Sequence, residues 1–410
     1  MCSYGTARAV LYEGRDFNVF YEAGKLILSS QFMDIFSKTP DRYLYAPGFA
    51  WIFSIFGFLT RNPALILFSI LKMAMLGHVL FILSRLLRVS AGVLALGALF
   101  ESRSLIIDFQ YGQVNTFIVW ACVWALSVLL SGRVQVLGSF FSALALGAVS
   151  VIKLVPASIA AGVFLSRPGA PKNRRFLQVG VVVGAFWVLF MPIFDLGPKL
   201  FLDALSLWLK AMHDRGLPLE THNQSLIAFV IRWFSGTPSP VILLCREVLY
   251  GWKIFDHQML QGLAPWILVG GSVIVLFAVL RILRSRETYL PTCTGVNWRD
   301  AFSIALIVSF AILPLHLAWK PYFVFGIPLS VVVFGRLLTL IREAGVRSQW
   351  RLITSVSVLF LAVNMSNYEA IGRDGAAVFE AVSGFYWVHL GWIFLGFKLR
   401  SRIAESEVFS

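Results

Sequence analysis

The chain has 410 residues, 58% hydrophobic and only 14% charged, with a mean hydropathy of +0.78 and a formal net charge of +14. Soluble domains carry about 25% charged residues, so an ordinary soluble protein is excluded, and the lack of strict apolar alternation excludes a transmembrane barrel. The basic residues cluster between apolar stretches, at 167–175, 281–286, 342–351 and 398–402, which is the positive-inside pattern of a membrane protein and not a nucleic-acid surface.

The chain opens on a polar, aromatic-rich segment, 1–43, read as a loop on the outer face with an interfacial helix. Its first dozen residues have no continuous apolar core, so no cleavable signal is read there. Apolar stretches then recur at roughly 44–60, 64–84, 89–107, 114–131, 134–152, 154–166 and 176–194, and again at 263–284, 301–318, 321–341, 352–366 and 380–398. Many have the length needed to cross a bilayer core, and the shorter ones suit re-entrant or half-spanning segments. The fold class is therefore all-α, a polytopic integral membrane protein with roughly 10–12 transmembrane or re-entrant helices and no soluble domain.

The domain organisation is one membrane-embedded unit, 1–410. Helices at 44–194 and 263–398 flank a polar outer loop at 195–262, and 399–410 form a cytoplasmic tail. The basic clusters of the C-terminal half place one side in the cytoplasm. They put 195–262, the Trp319-Lys320 segment and a loop at 364–374 outside. Pieces at 201–212 and 241–255 have the amphipathic pattern of interfacial helices. Counting passes from the N-terminus puts Asp16 and Gln113 on opposite sides, in conflict with an arrangement where both serve one face. Cys2, Cys122, Cys245 and Cys293 are too scattered for a metal or redox motif and read as packing residues.

Polar residues beside apolar runs mark functional positions in membrane proteins. Asp16, between Arg15 and the aromatics Phe17, Phe20 and Tyr21, is either a general base toward a hydroxyl or half of an interfacial anchor. Tyr45-Ala46-Pro47 has the composition of an interfacial helix start. In the stretch from Asp108 to Asn115, Gln113 and Asn115 enter an apolar helix, where they bind a substrate or bond a neighbouring helix. Lys153 lies inside about thirty apolar residues and needs an anion, a cavity or a route to the interface. Phosphate is a natural partner for its ammonium group. His222-Asn223-Gln224-Ser225 precedes an apolar helix as a cap or an anion site. Arg232, two turns on, pairs with a phosphate or reaches lipid headgroups. His316, Lys320 and Tyr322 lie between two spans in Pro314–Tyr322, as sugar or phosphate contacts or as interfacial residues.

Taken together and in order, these segments resemble glycosyltransferase family 87, enzymes of the GT-C type that include polyprenol-phosphate-mannose-dependent α-1,2-mannosyltransferases. The resemblance rests on Asp16-Phe17-Asn18-Val19-Phe20-Tyr21, Tyr45-Ala46-Pro47, Gly112-Gln113-Val114-Asn115, Lys153 with Pro156, Asn223-Gln224-Ser225-Leu226 with Arg232, and Ala318-Trp319-Lys320-Pro321-Tyr322. It spans roughly 14–330. Two features depart from the family pattern. A span normally precedes the aspartate loop, which points to a late start or a truncated gene. The last motif has Pro321 and Tyr322 where a histidine is usual.

The resemblance implies an enzyme that moves a mannose-like hexose from a polyprenyl-phosphate donor to a glycolipid or glycan hydroxyl, with inversion, at the outer face of the cell membrane. Asp16 is then the catalytic base. Arg15, Gln113, Asn115, Lys153, Asn223, Gln224, Arg232, His316, Lys320 and Tyr322 contact the donor phosphate or sugar. No metal or cofactor is implied, and the partners are the lipid-linked donor, the acceptor and membrane lipid. The competing readings are a lipid or solute transporter (a flippase among them) and an inactive truncated paralogue.

Overall fold

The structure, a computed structural model, describes residues 1–408 apart from 12–13, 40–42, 132–135, 154–155, 166–170, 215–221, 236–237, 245–246, 251–253, 285–296 and 316–317. It is a helical, polytopic membrane protein. Helices α1 (Cys2–Leu11) and α2 (Arg15–Leu28) open the chain, followed by a 3₁₀ turn at Phe32–Asp34, α3 (Ile35–Lys38) and α4 (Pro47–Gly57). Then come α5 (Arg61–Leu87), α6 (Ala91–Leu99), α7 (Ser102–Tyr111), α8 (Asn115–Leu130) and α9 (Val136–Ile152). They lead to α10 (Ala157–Leu165), α11 (Pro171–Phe190), α12 (Ile193–Asp214) and α13 (Leu226–Phe234). An antiparallel pair, β1 (Pro238–Leu244) and β2 (Glu247–Tyr250), precedes α14 (His257–Arg284) and α15 (Trp298–Phe310). A 3₁₀ segment, Lys320–Gly326, leads into α16 (Ile327–Ser348), α17 (Trp350–Asn364), α18 (Tyr368–Ala381) and α19 (Gly384–Val408).

Among the described residues three helices are long and apolar enough to cross a membrane: Arg61–Leu87, Gln258–Arg284 and Lys320–Ser348. Three further spans arise if bent pairs are joined, α7 with α8 (119°), α11 with α12 (71°) and α18 with α19 (60°). Several expected spans change accordingly. Helix α4 has 11 residues, about 16 Å at 1.5 Å per residue, roughly half of a 30 Å hydrocarbon core. The stretch 44–60 therefore holds no helix long enough to cross by itself. The stretch 89–107 divides at Phe100-Glu101, and the described residues of 154–166 form the nine-residue α10. Two loop assignments also change. Strands occupy most of 241–255, where an amphipathic helix was expected, and the 364–374 loop is helical from Tyr368 onward.

The chain forms two compact units, each drawn from two stretches. The first contains Met1–His78 and Ile106–Gly216, the second Val79–Leu105 and Leu217–Ser410.

In the first unit, α9 and α11 pack backbone to backbone. A methyl group on Gly147 would lie 2.1 Å from the Val181 carbonyl oxygen, so only glycine allows the approach. Small residues at such crossings are how membrane helices gain close packing without a hydrophobic driving force. Helix α2 packs on α4 through aromatics, with Phe20 against Tyr45 (4.7 Å) and Phe49 (5.3 Å), and Phe17 against Phe53 (5.7 Å). In the second unit, Phe100 meets Phe334, Phe360 and Trp392 at 5.0–5.5 Å. The Ser330 hydroxyl donates to the Gly97 carbonyl there, bracing α16 against α6.

Candidate active site

The polar residues of the first unit gather at the bend between α7 and α8. Gly112 there has φ +68°, a left-handed conformation that glycine adopts without penalty. The Gly112 and Gln113 amides donate to the Phe109 and Asp108 carbonyls and close the end of α7. Asn115 then starts α8. The side chains of Gln113 and Asn115 leave this break in place of the apolar surface a continuous helix would present.

Asp16 lies in the first turn of α2, behind Gly14 at φ 37°, where a negative charge is favoured by the helix dipole. The Gln113 side-chain amide donates to Asp16 Oδ2 at 2.6 Å. Lys153, at the end of α9, donates to Gln113 Oε1 at 3.2 Å and to Asn115 Oδ1 at 2.9 Å. Its ammonium also lies 5.9 Å from the Tyr45 ring centroid. Asp16 and Gln113 are therefore neighbours, which a pass count that puts them on opposite sides does not allow.

The cluster continues inward. Asn115 donates to Asp108 Oδ1 at 3.1 Å and Thr116 to Asp108 Oδ2 at 2.7 Å. Lys72 of α5 forms a fully buried ion pair with Asp108 at 2.7 Å and donates to its carbonyl at 2.8 Å. A buried ion pair costs desolvation that only good geometry and further hydrogen bonds repay, and this one has both. Through shared amides, Asp16 and the Lys72–Asp108 pair are two ends of one polar network. Sequence reasoning missed Lys72, although it lies in an apolar 27-residue helix, where a lysine needs a partner.

The second unit holds the other predicted residues. Asn223 Oδ1 accepts from the Ser225 and Ala318 amides, and Ser225 caps α13 by accepting from the Ala228 amide. Gln224 donates to the Glu380 carbonyl and accepts from the Phe385 amide. Arg232 is 2% exposed and donates to the Asn223 and Ala381 carbonyls and to the Ser383 hydroxyl. Burial draws its guanidinium down to about 10, so it remains charged at neutral pH. These three side chains bind the chain to itself, bracing 222–225 against 318 and 380–385. The basic side chains nearby are Lys320 and His222. Both pair with Glu380, and His222 does so at 3.1 Å.

Glu380 escaped sequence reasoning because it sits in a mixed polar stretch with no motif around it. Lys320 is 13% exposed and His222 59%. Tyr322 is buried, Arg15 is exposed at the start of α2, and His316 lies outside the described residues.

Comparison with known proteins adds one match. The model of a family described as Glycosyltransferase family 87 covers residues 43–298, more than half of the chain. No curated protein and no solved structure matches. The matched region takes in Gln113, Asn115, Lys153, Asn223, Gln224 and Arg232. It begins after Asp16 and ends before Lys320. The Gln113–Asp16 hydrogen bond links the matched region to the aspartate outside it.

Proposed function

The chain belongs to glycosyltransferase family 87, and on that premise we propose that it is a GT-C-type membrane hexosyltransferase using a polyprenyl-phosphate sugar, mannose-like, as donor. The acceptor is a glycolipid or glycan hydroxyl at the outer face of the cell membrane. The observation that carries this reading is the Asp16–Gln113–Lys153 arrangement, a carboxylate oriented by an amide beside a cation.

In the proposed reaction Asp16 takes the proton of the acceptor hydroxyl. The freed oxygen attacks the anomeric carbon from the face opposite the phosphate, and the carbon–oxygen bond to the phosphate breaks. The electron pair leaves with polyprenyl phosphate, so one attack inverts the configuration. The amide from Gln113 holds one carboxylate oxygen, so the group does not rotate away from the hydroxyl it must meet. Lys153 is the proposed phosphate contact of the first unit, with Asn115 fixing its direction.

The resemblance also nominates Arg15, Asn223, Gln224, Arg232, His316, Lys320 and Tyr322. In the second unit Lys320 is the proposed contact, and Asn223, Gln224 and Arg232 serve as positioning residues, since their polar groups bond the backbone around it.

The test is transfer in isolated membranes from labelled polyprenyl-phosphate hexoses, with nucleotide sugars in a parallel arm. Asp16→Asn should lower turnover by about 10²–10⁴-fold, the usual contribution of a general base. Wild-type turnover in Asp16→Asn removes that residue as the base. Transfer from nucleotide sugars alone removes the proposed donor class.

A further inference from the structure

Beside the 3₁₀ segment Lys320–Gly326, the second unit encloses a carboxyl group and an imidazole that the reaction above does not use. Glu101 is 2% exposed and His389 is 1% exposed. His389 Nε2 lies 2.8 Å from the Ser309 carbonyl oxygen. A carbonyl accepts and never donates, so Nε2 carries the hydrogen. In the neutral ring Nδ1 is then a bare acceptor, and it has no hydrogen-bond partner. Glu101 Oε2 and the Ser104 hydroxyl are likewise buried without one.

The two side chains converge on one α-carbon. A methyl group on Gly326 would lie 2.7 Å from Glu101 Oε1 and 3.3 Å from His389 Nδ1. The acid and the imidazole nitrogen thus lie no more than the sum of those distances apart, and since Nδ1 has no direct partner, one bridging water is what would join them. Among the described residues no cation pairs with Glu101. Lys320 is taken up by Glu380, and Arg103 by Ser366 and the Phe385 ring. An ionised carboxylate in such surroundings is far costlier than a neutral acid. A neutral acid also supplies the hydrogen that Nδ1 lacks.

We propose that Glu101 and His389 form a buried proton site, with protonated Glu101 donating toward His389 Nδ1 through one bridging water, and that this pair clamps the Lys320–Gly326 segment. His389 also packs edge-on against Phe323 of that segment at 5.6 Å. Glu101 and His389 are therefore positioning residues for Lys320. Only the effect on turnover rests on Lys320 being a donor contact. The proton site stands apart from that reading.

The full chain in detergent tests both parts. In infrared spectra, wild type minus Glu101→Gln should show a protonated-carboxyl carbonyl band. His389→Phe should move that band to higher frequency, because the bridge from the acid to its acceptor is lost. No band, or a band unmoved by His389→Phe, overturns the proton site. In the transfer assay Glu101→Gln, whose amide replaces the acid as donor, should stay within about 3-fold of wild type. Glu101→Ala and His389→Phe should fall by about 10-fold or more, in line with a displaced contact residue. Equal losses in Glu101→Gln and Glu101→Ala overturn the clamp. Correct infrared behaviour with no loss in any variant overturns the positioning role of the pair and leaves the family-based reaction standing.

Discussion

Gly112→Ala is the sharpest probe of the site, because one methyl group strikes the contact between its two halves. The added carbon would lie 2.4 Å from Phe17 Cβ, whereas carbon atoms in contact sit about 3.5–4.0 Å apart. Either Phe17 or the Gly112 turn must therefore move by about 1 Å or more. The positive φ of 68° adds about 1–2 kcal/mol for a residue with a side chain, and overpacking adds about 1–3 kcal/mol. Phe17 follows Asp16 and Gly112 precedes Gln113, so the displacement falls directly on the 2.6 Å hydrogen bond between them.

A misplacement of about 1 Å costs on the order of 10²-fold in rate. Transfer from a labelled polyprenyl-phosphate hexose should drop by about that factor, with thermal unfolding in detergent shifted downward. Gly77→Ala is the control, since nothing lies within 4 Å of the methyl group it would add. Wild-type turnover and unfolding temperature in Gly112→Ala would refute the idea that the bend holds Asp16.

Removing the amide with Gln113→Ala should lower turnover by about 10–100-fold with little change in unfolding temperature, because the lost bonds reach only partly buried partners. Gln113→Glu should be worse than Gln113→Ala, since it sets a second carboxylate against Asp16. The reverse order in the same transfer assay would show that Gln113 does not orient Asp16. Lys72→Met should destabilise by about 3–5 kcal/mol, because it strands a buried carboxylate, while Lys72→Met/Asp108→Asn recovers much of the loss. Chemical unfolding in detergent measures both. Arg232→Met leaves two carbonyls and a hydroxyl buried without their donor and should cost about 3 kcal/mol or more. An unchanged unfolding curve would mean that Arg232 does not brace 222–225.

The sequence made the first unit's cluster legible because its members carry costs that only function or pairing offsets. Gln113, Asn115 and Lys153 stand out as polar groups in apolar runs, and the structure brings all three to Asp16's network. Their mutual geometry was not legible, because it depends on two helix breaks. The shortness of α4 and the 119° bend after Tyr111 decide which residues meet, and hydropathy averages over both. The second unit reads in a different way. Asn223, Gln224 and Arg232 look like an anion site, and a short capping motif carries the same residue types whether it faces a ligand or its own backbone. Glu380 received no attention because its partners, His222 and Lys320, are 158 and 60 residues distant in sequence.

The Lys72–Asp108 pair also bears on how this protein is made. The two residues are 36 positions apart, so α5 meets the membrane before its counter-charge has entered. A lysine at the centre of an inserting helix costs about 2.5–3.5 kcal/mol, and each Leu, Ile, Phe or Val returns about 0.3–0.6 kcal/mol. The sequence of α5 is dominated by such residues, so it can be inserted with its charge waiting. Pairing then becomes a late step of assembly, reached only when α7 arrives, and a chain stalled before Asp108 would present a membrane helix with an exposed mark of incompleteness.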